Sequence, residues 1–224
     1  MKKTLIAAIF ALIGFTQTQA QVTFKPGLRA GANFSHFTKG DSYDYDNYYN
    51  SNDDRTEFES KTDFYVGFYG ALRLTKYYTL QPEINYSRQG SKFNTRDFYF
   101  DQYGNSIGSN TRSGQIDVSY LSISVINKFT FGERFNVHVG PTIDFVVDKN
   151  GAFVTPNNNS YYYYDSDPTD VDLAFVAGVG FNFTKNFGLE ARVKKGIIPV
   201  IDTSDDNHTN VTFSVGATYT FDIK

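Results

Sequence analysis

The sequence predicts an all-β fold, an eight-stranded antiparallel up-and-down transmembrane β-barrel with long extracellular loops and short periplasmic turns. Three observations support this fold class. Eight segments alternate apolar and polar residues with period two, as strands do when successive side chains point to opposite faces. The connections alternate between about 22 residues and about four, which is typical of barrels with long loops at one end. Each segment also has one face that is free of charge.

The chain begins with a segment that is typical of a signal peptide. Two lysines precede an apolar run from Leu5 to Phe15, and small polar residues then lead to Ala20. This run is about half the length that a membrane-spanning helix requires. We therefore expect residues 1–20 to be a cleaved signal peptide and residues 21–224 to form one barrel domain. The sequence has no cysteine, which excludes disulfides, lipoprotein acylation and thiolate metal sites.

The predicted strands follow one another without a convincing helix between them. The stretch GLEARVK, from Gly188 to Lys194, shows the alternation most clearly. Its charged residues Glu190, Arg192 and Lys194 would all lie on one face of a strand. The predicted strands run approximately over Phe24 to Phe37, Lys61 to Thr75, Thr79 to Lys92, Gln115 to Phe129, Phe135 to Val147, Val171 to Phe183, Gly188 to Val200 and His208 to Phe221.

One alternate set of side chains in each strand is apolar and is predicted to face lipid, as Phe64, Val66 and Phe68 do in the second strand. The opposite faces carry acidic and basic residues together, which indicates internal ion pairs. Since eight strands enclose a lumen just wide enough for side chains, we expect a filled lumen and no open pore. The predicted lumen charge network comprises Arg29, Arg73, Glu83, Asp117, Asp144, Asp172, Glu190, Arg192 and Lys194.

The fourth predicted strand changes phase. Its apolar set moves from Ile116, Val118 and Tyr120 to Leu121 and Ile123. An extra residue in a strand shifts the following side chains to the other face, so we expect a β-bulge near Tyr120.

The predicted extracellular loops are acidic and rich in tyrosine and asparagine. The first, from Phe37 to Ser60, holds seven acidic and two basic residues, a net charge of −5. This charge disfavours nucleic acid and favours an extracellular cation or a basic partner. Tyrosine also gives contact area at low entropic cost. The predicted loop binding surface comprises Asp41, Tyr43, Asp44, Tyr45, Asp46, Tyr161, Tyr162, Tyr163 and Tyr164.

No motif in the sequence predicts a cofactor, a metal site or an enzyme. The loop aspartates lack the spacing of a known calcium loop. Barrel closure would bring His36 and His208 to the same rim, so a small rim-site hydrolase stays open as an alternative. The first hypothesis is a non-enzymatic protein for surface binding or envelope structure, because catalysis needs an oriented set of groups that spacing does not show.

Five stretches resemble the PorT-like or porin family of outer membrane β-barrel proteins of Gram-negative bacteria. They are KPGLRAGANFS (25–35), LQPEINYSRQGSKF (80–93), YLSISVINKF (120–129), HVGP (138–141) and FVAGVGFNFTKNFGLEARVKKGI (175–197), in the family's order. The resemblance implies an eight-stranded barrel that lies in the outer membrane and contacts its lipid. It also implies that the barrel contacts the outer membrane assembly machinery during insertion. It also leaves open an accessory role in a secretion or transport assembly.

Overall fold

The computed structural model describes residues 22–38, 55–132, 134–154, 170–199, 201–202 and 207–222, so the predicted signal peptide lies outside the described residues. Eight long strands form a closed antiparallel barrel in which the first and last strands pair, and the predicted fold class is confirmed. A separate two-stranded sheet joins β8 to β9. The strands are β1 Thr23–Phe37, β2 Arg55–Arg73, β3 Tyr78–Phe100, β4 Ser106–Phe131, β5 Phe135–Val154, β6 Val171–Asn182, β7 Phe187–Gly196, β8 Ile201–Asp202, β9 Asn207–His208 and β10 Asn210–Thr220.

Short turns join the strands at one end of the barrel, the turn end, and the opposite end is the loop end. In the β2–β3 turn, the Thr75 hydroxyl accepts a hydrogen bond from the Tyr78 backbone N–H at 3.0 Å. In the β6–β7 turn, the Thr184 hydroxyl accepts the Phe187 backbone N–H at 2.9 Å in the same way. A threonine that satisfies the backbone three residues on favours a tight turn, and both turns are short as predicted.

Four neighbouring strands, β2 to β5, extend past the others at the loop end. The β1–β2 ladder ends at Ser35 and the β5–β6 ladder at Phe145, whereas the β3–β4 ladder continues to Phe100. The prediction of a 22-residue loop between β3 and β4 is therefore wrong. Most of this segment continues the antiparallel pairing. The sequence did not predict this extension, because main-chain hydrogen bonds form there without a regular apolar pattern.

The β3–β4 hairpin closes with a turn built on Asp101. Its carboxylate accepts the backbone N–H groups of Tyr103 at 2.8 Å and Asn105 at 2.9 Å. Gly104 follows with a φ of 81°, a conformation that glycine adopts without a steric cost. The hydrogen bonds from Asn105 and Tyr103 stabilise the charged carboxylate and so lower the pKa of Asp101.

The outer wall of the barrel is apolar and its inner wall is polar. Along β6, Leu173, Phe175 and Val179 are exposed on the outside, while Asp172 and Val176 point inward and are buried. Outside the first half of β4, the predicted apolar faces are therefore confirmed as the outer surface. Within the described ranges, no helix is long and apolar enough to cross a membrane.

A bulge interrupts the β4–β5 ladder between Ser119 and Tyr120, at the predicted place. Ser119 pairs with Asp148 but Tyr120 pairs with Val146, so the extra residue belongs to β5. The predicted phase change in β4 is therefore wrong. Val118 and Tyr120 are each 1% exposed and face the lumen, on the same side of β4 as Ser122 and Ser124.

Candidate functional site

Four charged side chains from three strands form an ionic network across the lumen. Arg29 of β1 contacts Glu83 of β3 at 2.7 Å and Glu190 of β7 at 2.5 Å. Arg192 of β7 contacts Glu83 at 2.8 Å and Glu190 at 2.9 Å. All four side chains are buried, so each charge depends on the two opposite charges for its compensation. The central members of the predicted network are thus brought together.

Neutral side chains satisfy the remaining bonds of the network. Glu83 accepts hydrogen bonds from Gln81 at 2.8 Å and Asn85 at 3.3 Å, and Glu190 accepts one from the Tyr65 hydroxyl at 3.2 Å. The Arg29 guanidinium also lies 4.6 Å from the centroid of the Tyr65 ring. Complete hydrogen bonding of this kind is what makes a buried ionic cluster tolerable.

Space for the Tyr65 ring comes from two glycines on neighbouring strands. A Cβ at Gly31 would lie 2.8 Å from the ring, and a Cβ at Gly216 would collide with the hydroxyl. A large side chain therefore fills the space that the glycines leave in the polar lumen, as the narrow interior of an eight-stranded barrel requires.

A second group of charges lies toward the loop end. The Lys194 ammonium contacts the Asp144 carboxylate, and Asp144 stands directly opposite Asp172 in the β5–β6 ladder. Asp172 accepts the backbone N–H of Ile198 at 3.1 Å. These three predicted lumen residues are therefore inside the barrel, and they form a group apart from the arginine–glutamate network.

Two predicted members do not join the network. Arg73 is exposed at the turn end and donates to the backbone oxygen of Lys76 at 3.1 Å, because it is the last residue of β2 and its side chain reaches the turn that follows. Asp117 contacts Lys61 at 2.7 Å in a separate cluster, with 27% of its side chain exposed. It occupies the face of β4 opposite to the buried Val118. The placement of Arg73 and Asp117 in the network is therefore wrong.

Apolar side chains close the lumen at the loop end. Phe37, Val118 and Tyr120 are each 1% exposed and pack together, with Phe58 and Ile116 against them. We call Phe37, Val118 and Tyr120 the apolar plug. Sequence reasoning missed the plug because Val118 and Tyr120 were predicted to face lipid, and only the continuous alternation with Ser122 shows that they point inward.

A polar cavity of about 50 Å³ lies beside the ionic network. Its lining combines the two network arginines with Lys194 and with hydroxyl and amide groups such as those of Gln89 and Thr142. A cavity of this size has room for roughly three to five water molecules.

The remaining predicted site residues lie at or beyond the rim. His36 is exposed on the outer wall opposite Val211, and β9 places His208 two residues before the start of β10. Barrel closure therefore makes β1 and β10 neighbours as predicted. The predicted loop binding surface, with its Asp and Tyr residues at 41–46 and 161–164, lies outside the described residues. In the described part of the chain, no three His, Cys, Asp or Glu residues are grouped to hold a metal.

A closed β-barrel with an apolar outer wall and a packed, charged lumen defines the class of transmembrane β-barrel proteins. The particular family follows from the sequence, since the family model "Outer membrane protein beta-barrel domain" matches residues 15–202. The chain belongs to this family, and the outer membrane is its location.

Several solved barrels are similar in fold. Neisserial surface protein A has 13% identity and a TM-score of 0.48, covering 88% of this chain and 97% of its own. Ail of Yersinia pestis, solved with the heparin analogue sucrose octasulfate, has 13% identity and a TM-score of 0.44, covering 88% and 99%. The Escherichia coli protease OmpT has 10% identity and a TM-score of 0.41, covering 91% and 99%. Such distant likenesses say nothing about activity. Comparison with curated proteins gave no match.

Proposed function

We propose that this protein is a non-enzymatic outer membrane barrel that acts at the cell surface through its loops. The observation that carries the proposal is the double obstruction of the lumen. The ionic network of Arg29, Glu83, Glu190 and Arg192 spans the barrel, and the apolar plug occupies its loop end. Both layers are buried, so the lumen has no room for a general diffusion pore. We therefore assign the function to the parts of the protein that lie outside the lumen, its extracellular loops.

The charge of the loops indicates the class of partner. The segment between β1 and β2, residues 38–54, holds five acidic residues and one lysine, a net charge of −4, and Asp41, Asp44 and Asp46 alternate there with tyrosines. An extracellular cation or a basic partner fits this field, and nucleic acid does not. The extension of β2 to β5 past the apolar wall supports the proposal, because it holds this side of the barrel beyond the membrane surface.

The proposal also covers the protein's origin and subgroup. It includes a Gram-negative host, export through a signal peptide cleaved after Ala20, contact with outer membrane lipid, and insertion by the assembly machinery. Membership of the PorT-like group belongs to it as well. Co-purification of the detergent-solubilised protein with a large envelope complex would instead support the accessory role in a secretion or transport assembly.

Two measurements on the reconstituted protein test the proposal. In planar bilayers we expect no large steady channels, and conductance on the order of a general diffusion porin would contradict the closed lumen. In proteoliposomes we expect a fluorescent oligolysine peptide to bind, and binding to weaken when Asp41, Asp44 and Asp46 are all changed to Asn.

The matched control for peptide binding is Asp148→Asn, an exposed acid on β5, which should bind the peptide as the wild type does. Equal binding by the triple variant and the wild type would contradict the loop proposal. Hydrolysis of a lipid or peptide substrate that is lost in His36→Ala would support the rim-site enzyme instead.

A further inference from the structure

The group near the loop end combines two carboxyl groups with one ammonium. Asp144 and Asp172 are directly opposite each other and are 1% and 4% exposed. Lys194 contacts Asp144, and its ammonium lies 5.3 Å from the centroid of the Tyr120 ring. Among the described residues no cationic side chain forms an ion pair with Asp172, which is held by the backbone N–H of Ile198. Two buried carboxylates thus lie beside a single, partly buried ammonium.

Two buried oxygens beside these carboxylates lack hydrogen-bond partners among the described residues. They are the Tyr120 hydroxyl and Asn210 Oδ1, in side chains that are 1% and 3% exposed. The Tyr120 ring lies against the Lys194 ammonium, which contacts Asp144, and the Tyr120 hydroxyl lies near the Asn210 side chain. Asn210 Nδ2 donates to Gln89 at 2.6 Å, which fixes the amide and leaves its oxygen unsatisfied. Such groups are rare in folded proteins, and a bound water or ion is one way to satisfy them.

The backbone brings Asp172 close to Asn210. Gly196 of β7 lies between them, and a Cβ there would collide with the Asp172 carboxylate and lie 3.4 Å from the Asn210 backbone nitrogen. The absence of a side chain at Gly196 therefore lets a carboxylate from β6 approach a residue of β10 across the intervening strand.

We propose that these side chains form a binding site for a hard metal cation, the two-aspartate site, made of Tyr120, Asp144, Asp172 and Asn210 with Lys194 as a resident competitor. Carboxylate, amide and hydroxyl oxygens are the ligands that Ca²⁺ and Na⁺ prefer, and waters complete their coordination. A cation there supplies positive charge beside the two carboxylates and a partner for both unsatisfied oxygens. Sequence spacing could not indicate the site, because its residues come from four different strands.

The polar cavity supplies the waters that such a cation needs. Lys194, Gln89 and Thr142 line the cavity and also touch the two-aspartate site. Thr142 donates to Asp144 at 3.4 Å, and Gln89 accepts from Asn210. A partly hydrated ion can therefore be coordinated by the protein on one side and by cavity water on the other.

The test measures unfolding of the refolded full chain in micelles by heat-modifiable gel mobility, after EDTA treatment in choline chloride. CaCl₂ and NaCl are then added in separate titrations. A cation that binds only the folded barrel raises the midpoint by about 3–6 °C at a tenfold excess over its Kd. Asp172→Asn should lose most of this rise. Lys194→Met should increase it, because the variant removes the competing charge, although the same variant lowers stability without added cation.

Control variants separate this site from the acidic loops. Asp148→Asn and the triple change of Asp41, Asp44 and Asp46 to Asn should both keep the full cation-dependent rise. Loss of the rise in the triple variant alone would overturn the two-aspartate site and place the cation in the loops, as the proposed function allows.

Three further outcomes would overturn the inference. A wild type without any cation dependence would mean that water alone fills the site. A normal rise in Asp172→Asn, or a smaller rise in Lys194→Met, would mean that the aspartates do not bind the cation. Tyr120→Phe keeps the ring in the plug and removes only the hydroxyl, so it replaces Asp172→Asn if that variant does not fold, and its rise should also be reduced.

Discussion

Replacing Arg192 by methionine should strongly destabilise the barrel. The Arg192 side chain is 5% exposed and contacts Glu83 at 2.8 Å and Glu190 at 2.9 Å. Methionine keeps much of the stem but removes the guanidinium, so two buried glutamates are left with Arg29 as their shared cationic partner in the network. Removal of one partner from a buried ionic cluster typically costs about 3–5 kcal/mol, and we expect a loss of this size in the free energy of unfolding.

Urea unfolding in micelles, followed by heat-modifiable gel mobility, measures this loss. The compensating double variant, Arg192→Met with Glu83→Gln, restores neutrality between Arg29 and Glu190 and should recover part of the lost stability. Val193→Arg is the matched change on the outer face, where Val193 is 47% exposed. An arginine facing lipid there should cost about 2–4 kcal/mol at the bilayer midplane and less near an interface.

The signs of these changes decide whether the faces are assigned correctly. A more stable Arg192→Met together with a harmless Val193→Arg would mean that Arg192 faces lipid, and the barrel orientation would be refuted. A destabilised Arg192→Met that Glu83→Gln makes worse would refute the ionic network while leaving the fold intact.

Three further predictions follow from single positions. A tag inserted at Gly104 in the β3–β4 turn should be reached by antibody on intact cells, and one at Lys185 should not. Labelling of both tags on intact cells would contradict the assignment of the turn end to the periplasm. Gly216→Val should cost about 1–3 kcal/mol in urea unfolding because its side chain collides with Tyr65, whereas the outward-facing Ala217→Val should be nearly neutral, and equal effects would disprove the packing role of Gly216. The pKa of Asp101 is lowered in the folded protein. Its carboxylate therefore stabilises the turn at pH values above its ordinary pKa of about 4, and this stabilisation is lost as the pH falls through the lowered pKa. The protection factors of the Tyr103 and Asn105 amides, corrected for the pH dependence of intrinsic exchange, should therefore fall in acid, and Asp101→Ala should show low protection at every pH. Protection factors that do not change with pH would contradict this role.

The strand faces were readable from the sequence because they are set within one strand. In GLEARVK, Glu190 and Arg192 occupy alternate positions, and alternation alone places them on one face wherever the strand lies. The exclusion of a wide pore was also predictable, since it depends on strand number and side-chain size. The structure places both residues in the lumen, as expected.

The errors fall where a single strand carries too little information. Arg73 has the phase of a lumen residue, but its position at the end of β2 lets it bind the turn. Tyr120 is apolar enough for lipid, but the extra residue in the ladder belongs to β5 and leaves the phase of β4 unchanged. The first outcome depends on where the strand ends and the second on the neighbouring strand, and local alternation describes neither.

The sequence by itself determined that the chain forms alternating strands with an apolar outer face, short turns at one end and a charged interior. Only the tertiary structure decided which charges meet. Arg29 and Glu83 are 54 residues apart, and Glu190 is a further 107 residues along the chain from Glu83, so their contact depends on barrel closure and ladder register. A period-two pattern specifies on which side of a strand a residue lies but not the register between that strand and its neighbours. This register brings together the residues of the ionic network, the apolar plug and the two-aspartate site.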